Sequence, residues 1–211
     1  MKKLFSLLIA LYCSSILAEG AGPARTMLEQ FSTGLTNLQL EFTQTVRSQD
    51  GRIQDQTHGN AWLQKPDKLR WVYGGEFPEI IVADGQNVWI HDVTLEQVTI
   101  KPQSHSVADT PLLILTDLSQ LDQQFLVKEL GEFENMSLLE LSSREGESEF
   151  ERILMGLDTG GIRMMVMEDA FGQRTEIRFS NIIRNGQIEQ QQFSFIPPEG
   201  VDVVGQLTTP D

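Results

Sequence analysis

The sequence predicts a mainly β protein: one curved antiparallel sheet or barrel of about eleven or twelve strands, with a few helices set against it. Two observations carry that expectation. From Leu38 onward, apolar and polar residues alternate with period two in short runs, each separated from the next by Gly, Asp, Asn or Pro. Only the N-terminal stretch and one internal insert break this rhythm with helical spacing. No internal repeat, low-complexity tract or interdomain linker divides the chain, which is long enough for one sizeable core.

The first residues read as a targeting segment. Lys2 and Lys3 precede the apolar run Leu4 to Leu17, and Ala18-Glu19 offers a small residue at the cut. Residues 1–18 are therefore expected to be a secretory signal peptide, too short to span a bilayer, and residues 19–211 a single domain. Ile16 stands three residues before that cut where a small residue is ideal, which leaves a cut near Gly20 or Ala21 open. The one cysteine, Cys13, lies in the apolar run behind Tyr12, where a lipidation signal needs a small residue, so the exported chain is expected to be cysteine-free and unanchored. Without Lys2 and Lys3 the chain keeps 14 basic against 30 acidic residues, a net charge near −16. Such a surface excludes nucleic acid as a partner and is repelled by anionic membrane faces. The expected compartment is the Gram-negative periplasm.

The elements follow in order. From Pro23 the chain reads as a helix, with Leu28, Phe31, Leu35 and Leu38 spaced by three and four residues and Gly34 weakening its end. "LQLEFTQTV" then switches to period two, and "GNAWLQ", "KLRWVY", "EIIVADG", "NVWIHD" and "EQVTIKP" continue as an antiparallel meander. "ADTPLLILTDLSQL" interrupts it. Thr110 is a cap, Pro111 suits the first helical position, and four apolar residues follow. Strands resume with "QFLVKEL", "MSLLELSS", "FERILMGLD", "IRMMVMED", "RTEIRFSNII" and "IEQQQFSFIPP". Asp158 to Gly161 reads as a turn, and Asn185-Gly186 as a two-residue hairpin.

The chemistry of catalysis finds no foothold. His58, His91 and His105 are isolated and lack metal-ligand spacing, so no metal is expected. No nucleophile elbow, phosphate loop or dinucleotide fingerprint occurs. Adjacent carboxylates such as Glu168-Asp169 point to opposite faces of a strand and do not converge on one substrate. The expectation is a protein without enzymatic activity or cofactor.

What stands out is an excess of large apolar side chains: Trp62, Trp71, Trp89, Met155, Met164, Met165, Met167, Phe179, Phe193 and Phe195. They fit two readings. One is a self-filled barrel core; the other is a ligand cavity walled by one sheet face and roofed by the first helix and the Pro111 insert. Methionines suit the second, because they adapt to irregular apolar ligands.

Five stretches, in this order and spacing, resemble the periplasmic outer-membrane lipoprotein carrier family, LolA: "LQLEFTQTV", "GNAWLQKPDKLRWVY", "VADGQNVWIHDVTLEQVTI", "DTPLLIL" and "QFSFIPPEGVDV". The resemblance covers nearly the whole exported chain. It implies an incomplete antiparallel β-barrel with a helical lid over a hydrophobic cavity. It also implies a function: taking acylated lipoproteins from the inner-membrane LolCDE transporter (through LolC) and delivering them, as a monomer, to the outer-membrane receptor LolB. Carried over by position, Trp62, Leu69, Trp71, Tyr73 and Trp89 would face the cavity or its rim, and Leu112 and Leu113 would plug it from the lid. The family has an arginine before the proline of the loop at Pro66 that ties the lid to the barrel. Here that residue is Lys65, a point donor rather than a planar fork, so the resemblance makes it the lid-tie candidate and implies either a weaker hold or other groups sharing the task.

Three alternatives compete with the carrier. A receptor like LolB needs a lipid anchor that Tyr12-Cys13 does not provide. A periplasmic sensor resembling the LolA-like domain of RseB would bind lipid or lipoprotein, but such chains carry a second domain. A hydrolase on a lipocalin-like scaffold lacks a nucleophile.

Overall fold

The computed structural model describes residues 22–103, 121–144 and 150–207. The leader and the Pro111 insert, with Leu112 and Leu113, lie outside the described residues. Helix α1 spans Pro23–Ser32; Pro23 sits at its start, where a missing N–H leaves no orphan donor. Leu28 and Phe31 are buried, and the chain leaves the helix through Gly34, whose φ of 67° belongs to the left-handed region.

Six strands follow: β1 (Asn37–Arg47), β2 (Ile53–Gln64), β3 (Lys68–Tyr73), β4 (Glu79–Ala83), β5 (Asn87–Asp92) and β6 (Gln97–Pro102). After the short helix α2 (Leu121–Gln124) come β7 (Phe125–Phe133), β8 (Met136–Ser143), β9 (Phe150–Asp158), β10 (Gly161–Asp169), β11 (Arg174–Arg184) and β12 (Asp202–Gly205). All twelve form one sheet in the order β12-β6-β5-β4-β3-β2-β1-β11-β10-β9-β8-β7. The first meander runs one way from β1 and the second runs the other way. β1 joins them by pairing with both β2 and β11. Among the described residues only β12 is parallel to its neighbour, β6. Among the described residues β7 and β12 have one neighbour each, so the sheet is curled but not closed.

The curl is shown by its core. A single buried cluster joins α1 (Ala24, Leu28, Phe31) to β1–β5 (among them Phe42, Leu63, Leu69 and Trp71) and to β8–β11 (Leu139, Met155, Met165, Ile177). The face that carries these residues is the inner one. On the outer face a smaller cluster of Val82, Trp89, Val98 and Ile100 is covered by Phe195 and Val201 of the C-terminal segment.

That segment corrects two expectations. "IEQQQFSFIPP" is not a strand: it makes a 3-10 turn at Gln190–Phe193 and then runs across the outer face. Pro197 and Pro198 have no N–H to donate to a ladder, and the twelfth strand forms beyond them. Nor does Asn185-Gly186 make a hairpin, since β11 pairs with β10 and β1. Asn185, at φ 56°, instead accepts from Thr36 N (2.8 Å) and donates to Gly34 O (2.9 Å), holding the link between α1 and β1.

Gly59 of β2 lies opposite both Phe42 and Tyr73. A Cβ there would stand 1.9 Å from Val72 O and 2.6 Å from Phe42 Cζ, so the missing side chain is what admits the Phe42 ring. Gly59→Ala is expected to lower stability by about 1–3 kcal/mol through overpacking. Urea denaturation measures this, and a loss below about 0.5 kcal/mol would contradict the packing.

Candidate ligand cavity

The inner face is built from alternate residues, because neighbouring side chains on a strand point to opposite sides. β1 contributes Leu38, Leu40 and Phe42, none more than 5% exposed. β2 and β3 are in the register Ala61↔Trp71, Leu63↔Leu69 and Gly59↔Tyr73, which brings Leu69, Trp71 and Tyr73 to the same face. Phe42 forms an aromatic floor with them. Its ring centroid is 4.1 Å from that of Trp71 and 5.3 Å, edge-on, from that of Tyr73. Across the curl the paired Met155 and Met165 are at most 1% exposed, beside Met167, Ile177 and Phe179.

Helix α1 bridges the two halves and is fastened at its ends. At its N-terminus the Glu129 carboxylate of β7 accepts from Ala24 N (3.2 Å) and Arg25 N (2.8 Å), taking the place of a cap. Arg25 itself grips Asp122 of α2 through two bonds of 2.8 and 2.7 Å, and its hydrogen bond holds the Asp122 carboxyl below the usual range. At the C-terminal end Lys65 Nζ lies 3.3 Å from Ser32 Oγ and 3.5 Å from Ser32 O. Arg184 donates to Thr33 O (3.0 Å) and covers the Phe31 ring at 5.2 Å. Anion at the start and cations at the end both complement the helix dipole.

One end of the inner face opens to solvent. A pocket of about 520 Å³ is lined there by Gln44, Thr57, His58, Tyr73, the 74–78 loop, Glu79 and Asp92. Tyr73 donates to Gln44 Oε1 (3.2 Å), and burial, helped by the charge of Glu79, pushes its hydroxyl up to about 12. Glu79 faces Asp92 directly across β4 and β5; burial first, and Asp92 second, raise its pKa. Trp71 Nε1 is buried without a hydrogen-bond acceptor among the described residues, and its nearness to the Tyr73 hydroxyl pulls against the upward shift there.

The site residues read from the sequence therefore fall into groups. Leu69, Trp71 and Tyr73 share the inner face, and Lys65 reaches the end of α1. Trp62 and Trp89 are corrections: both lie on the outer face, in the cross-strand row Trp62↔Arg70↔Val82↔Trp89↔Ile100. Trp89 stacks on Phe195 at 5.6 Å and donates to Asp84 Oδ2 at 2.7 Å. Phe195 belongs to that same outer layer, Phe193 is buried in the turn whose Gln192 O accepts from outer-face Arg70, and Met164 also turns outward, against a pocket with Leu154 and Val166. Sequence reasoning missed Phe42, Glu129, Asp122 and Arg184. Phe42 was legible from its place in "LQLEF"; the other three show no local signal, because their partners lie about a hundred residues or more away.

Fold and site together define an unclosed antiparallel β-barrel whose apolar inner face is bridged by a helix. A solved structure of an uncharacterized conserved protein from Thermus thermophilus shares this fold, at a TM-score of 0.56 and 16% identity, covering 87% of this chain and 99% of the other. The family model described as "Outer membrane lipoprotein carrier protein LolA" matches residues 33–196, and the chain belongs to that family. Relatives bearing the name outer-membrane lipoprotein carrier protein include two that match along most of their length. The one from Dechloromonas aromatica is 38% identical over 179 residues, 85% of this chain and 86% of the relative. The one from Methylococcus capsulatus is 33% identical over 199 residues, 94% and 96% of the two chains.

The raised pKa of Glu79 has a signed consequence. A carboxyl whose folded pKa lies above its unfolded value destabilises the fold when ionised, and that penalty is relieved as pH falls through the folded pKa. Glu79→Gln is expected to raise the urea midpoint at pH 7, with the gain shrinking on acidification and gone below about pH 4.3. A variant less stable than the parent at pH 7 would refute the assignment.

Proposed function

We propose that the protein carries acylated lipoproteins across the periplasm, taking them from the inner-membrane LolCDE transporter and handing them to the outer-membrane receptor LolB. No reaction is catalysed: the work is to shelter acyl chains from water. The observation that carries this reading is an apolar inner face that no strand among the described residues closes, spanned by a helix whose ends are held by polar contacts. The names of relatives matched along most of their length support it. They favour it over a lipid sensor.

The energetics suit a carrier. Each CH₂ taken out of water contributes about 0.8 kcal/mol, so one acyl chain is held reversibly and several together firmly. Loading and release then require the two halves to part around α1. Leu69, Trp71 and Tyr73 are the wall residues in this reading, Lys65 and Arg184 fasten the C-terminal end of α1, and Leu112 and Leu113 are the proposed lid residues.

The purified protein is expected to bind an environment-sensitive apolar dye that a triacylated peptide displaces, read by fluorescence. A protein that takes up no dye, or whose dye the lipopeptide leaves in place, is not a carrier. Replacing both Lys65 and Arg184 by Met is expected to leave the sheet folded by circular dichroism and to speed dye exchange several-fold. Unchanged exchange rates would remove these cations from the clasp.

A further inference from the structure

We infer that Trp71 Nε1 is the cavity's polar anchor, donating a hydrogen bond to the carbonyl of an ester-linked acyl chain; this rests on the carrier reading. Trp71 is 4% exposed, and its Nε1 has no acceptor among the described residues. Buried donors are normally satisfied, and one left unpaired in a tightly packed wall is a standing penalty that a ligand acceptor relieves. The other two indoles differ. Trp89 Nε1 is committed to Asp84 at 2.7 Å, and Trp62 is only half-buried on the outer face.

The position of this donor specifies the ligand atom. On one side of Trp71 the wall is hydrocarbon, with Leu69 and Leu63 in register. On the other side it turns polar: the Tyr73 hydroxyl is bonded to Gln44, and both line the open end with Thr57 and Glu79. An acylated peptide has the same order along its length: alkyl chain, carbonyl, then polar peptide. Seating the chain against the leucines brings its carbonyl to the boundary, where Trp71 stands. Charge selects the acceptor as well. Glu79 and Asp92, opposite each other at the open end, disfavour a phosphate or carboxylate, whereas a neutral carbonyl enters without bringing a second buried charge.

The test compares two lipopeptides of equal chain length, one with ester-linked and one with ether-linked chains, on the full chain and on Trp71→Phe, which keeps the stacked ring and deletes the N–H. The parent is expected to prefer the ester by about tenfold, and Trp71→Phe to abolish that preference by weakening ester binding alone. Indole ¹H–¹⁵N spectra of the parent, with signals assigned through Trp62→Phe and Trp89→Phe, provide a readout that holds even if Trp71→Phe does not fold. The Trp71 signal should move downfield with the ester and not with the ether. Equal affinity for the two lipopeptides, an unshifted indole, or an ester preference that survives in Trp71→Phe overturns the anchor while leaving the carrier intact. Failure of the parent to bind either lipopeptide overturns the carrier reading and the anchor with it.

Discussion

Leaving the two ends of the sheet unpaired is the constraint on which the rest of the structure depends. A closed barrel pairs every strand on both sides and so has no edges. Here β7 and β12 each lack a second neighbour among the described residues, so the apolar inner face has to be covered by an element that is not a strand. Helix α1 takes that place. The edge at β7 resists further pairing: it carries Lys128, Glu129 and Glu132, and its register with β8 shifts between Glu129 and Gly131. The edge at β12 is only four residues long. Openness is thus built into the composition of the end strands.

The same parity rule that makes one face apolar decides how the aromatics are shared. Tryptophans at 62 and 71 look like neighbours in "AWLQKPDKLRWVY", but their positions differ by an odd number. The β2–β3 hairpin pairs Leu63 with Leu69 and Trp62 with Arg70, so an odd difference across this turn separates the two tryptophans onto opposite faces. Trp62 and Trp89 then join an outer layer whose other half is the C-terminal segment. The curl is thereby covered twice, by α1 within and by Phe195 and Val201 without.

Much of the architecture was legible because it is local. Period-two alternation located eleven of the twelve strands, and helical spacing located α1. What was illegible depends on contacts between distant segments. The register of the β2–β3 hairpin turns on the geometry of its loop, which no alternation pattern encodes. "IEQQQFSFIPP" has the apolar content of a strand, and its release from the ladder follows from prolines placed against an already occupied outer face. Of the site, Leu69, Trp71 and Tyr73 share a strand, so their common face could be read directly. The ties of α1 to Glu129, Asp122 and Arg184 join residues between 97 and 151 positions apart and could not be.

The replacement of a forked cation by Lys65 takes on a different meaning beside these ties. Lys65 makes two long contacts to one residue of α1, a hold worth little by itself at a partly exposed site. Arg184 grips the adjacent Thr33 and also covers Phe31, so the planar guanidinium absent from position 65 is present elsewhere at the same end of α1. The stronger hold is at the other end, where Glu129 and the two-bond Arg25–Asp122 pair converge on the first turn. The hold on α1 is thus stronger at its start, beside β7, than at its end, beside the β2–β3 loop. The weaker end lies at the loop that joins the two strands carrying Leu63, Leu69 and Trp71.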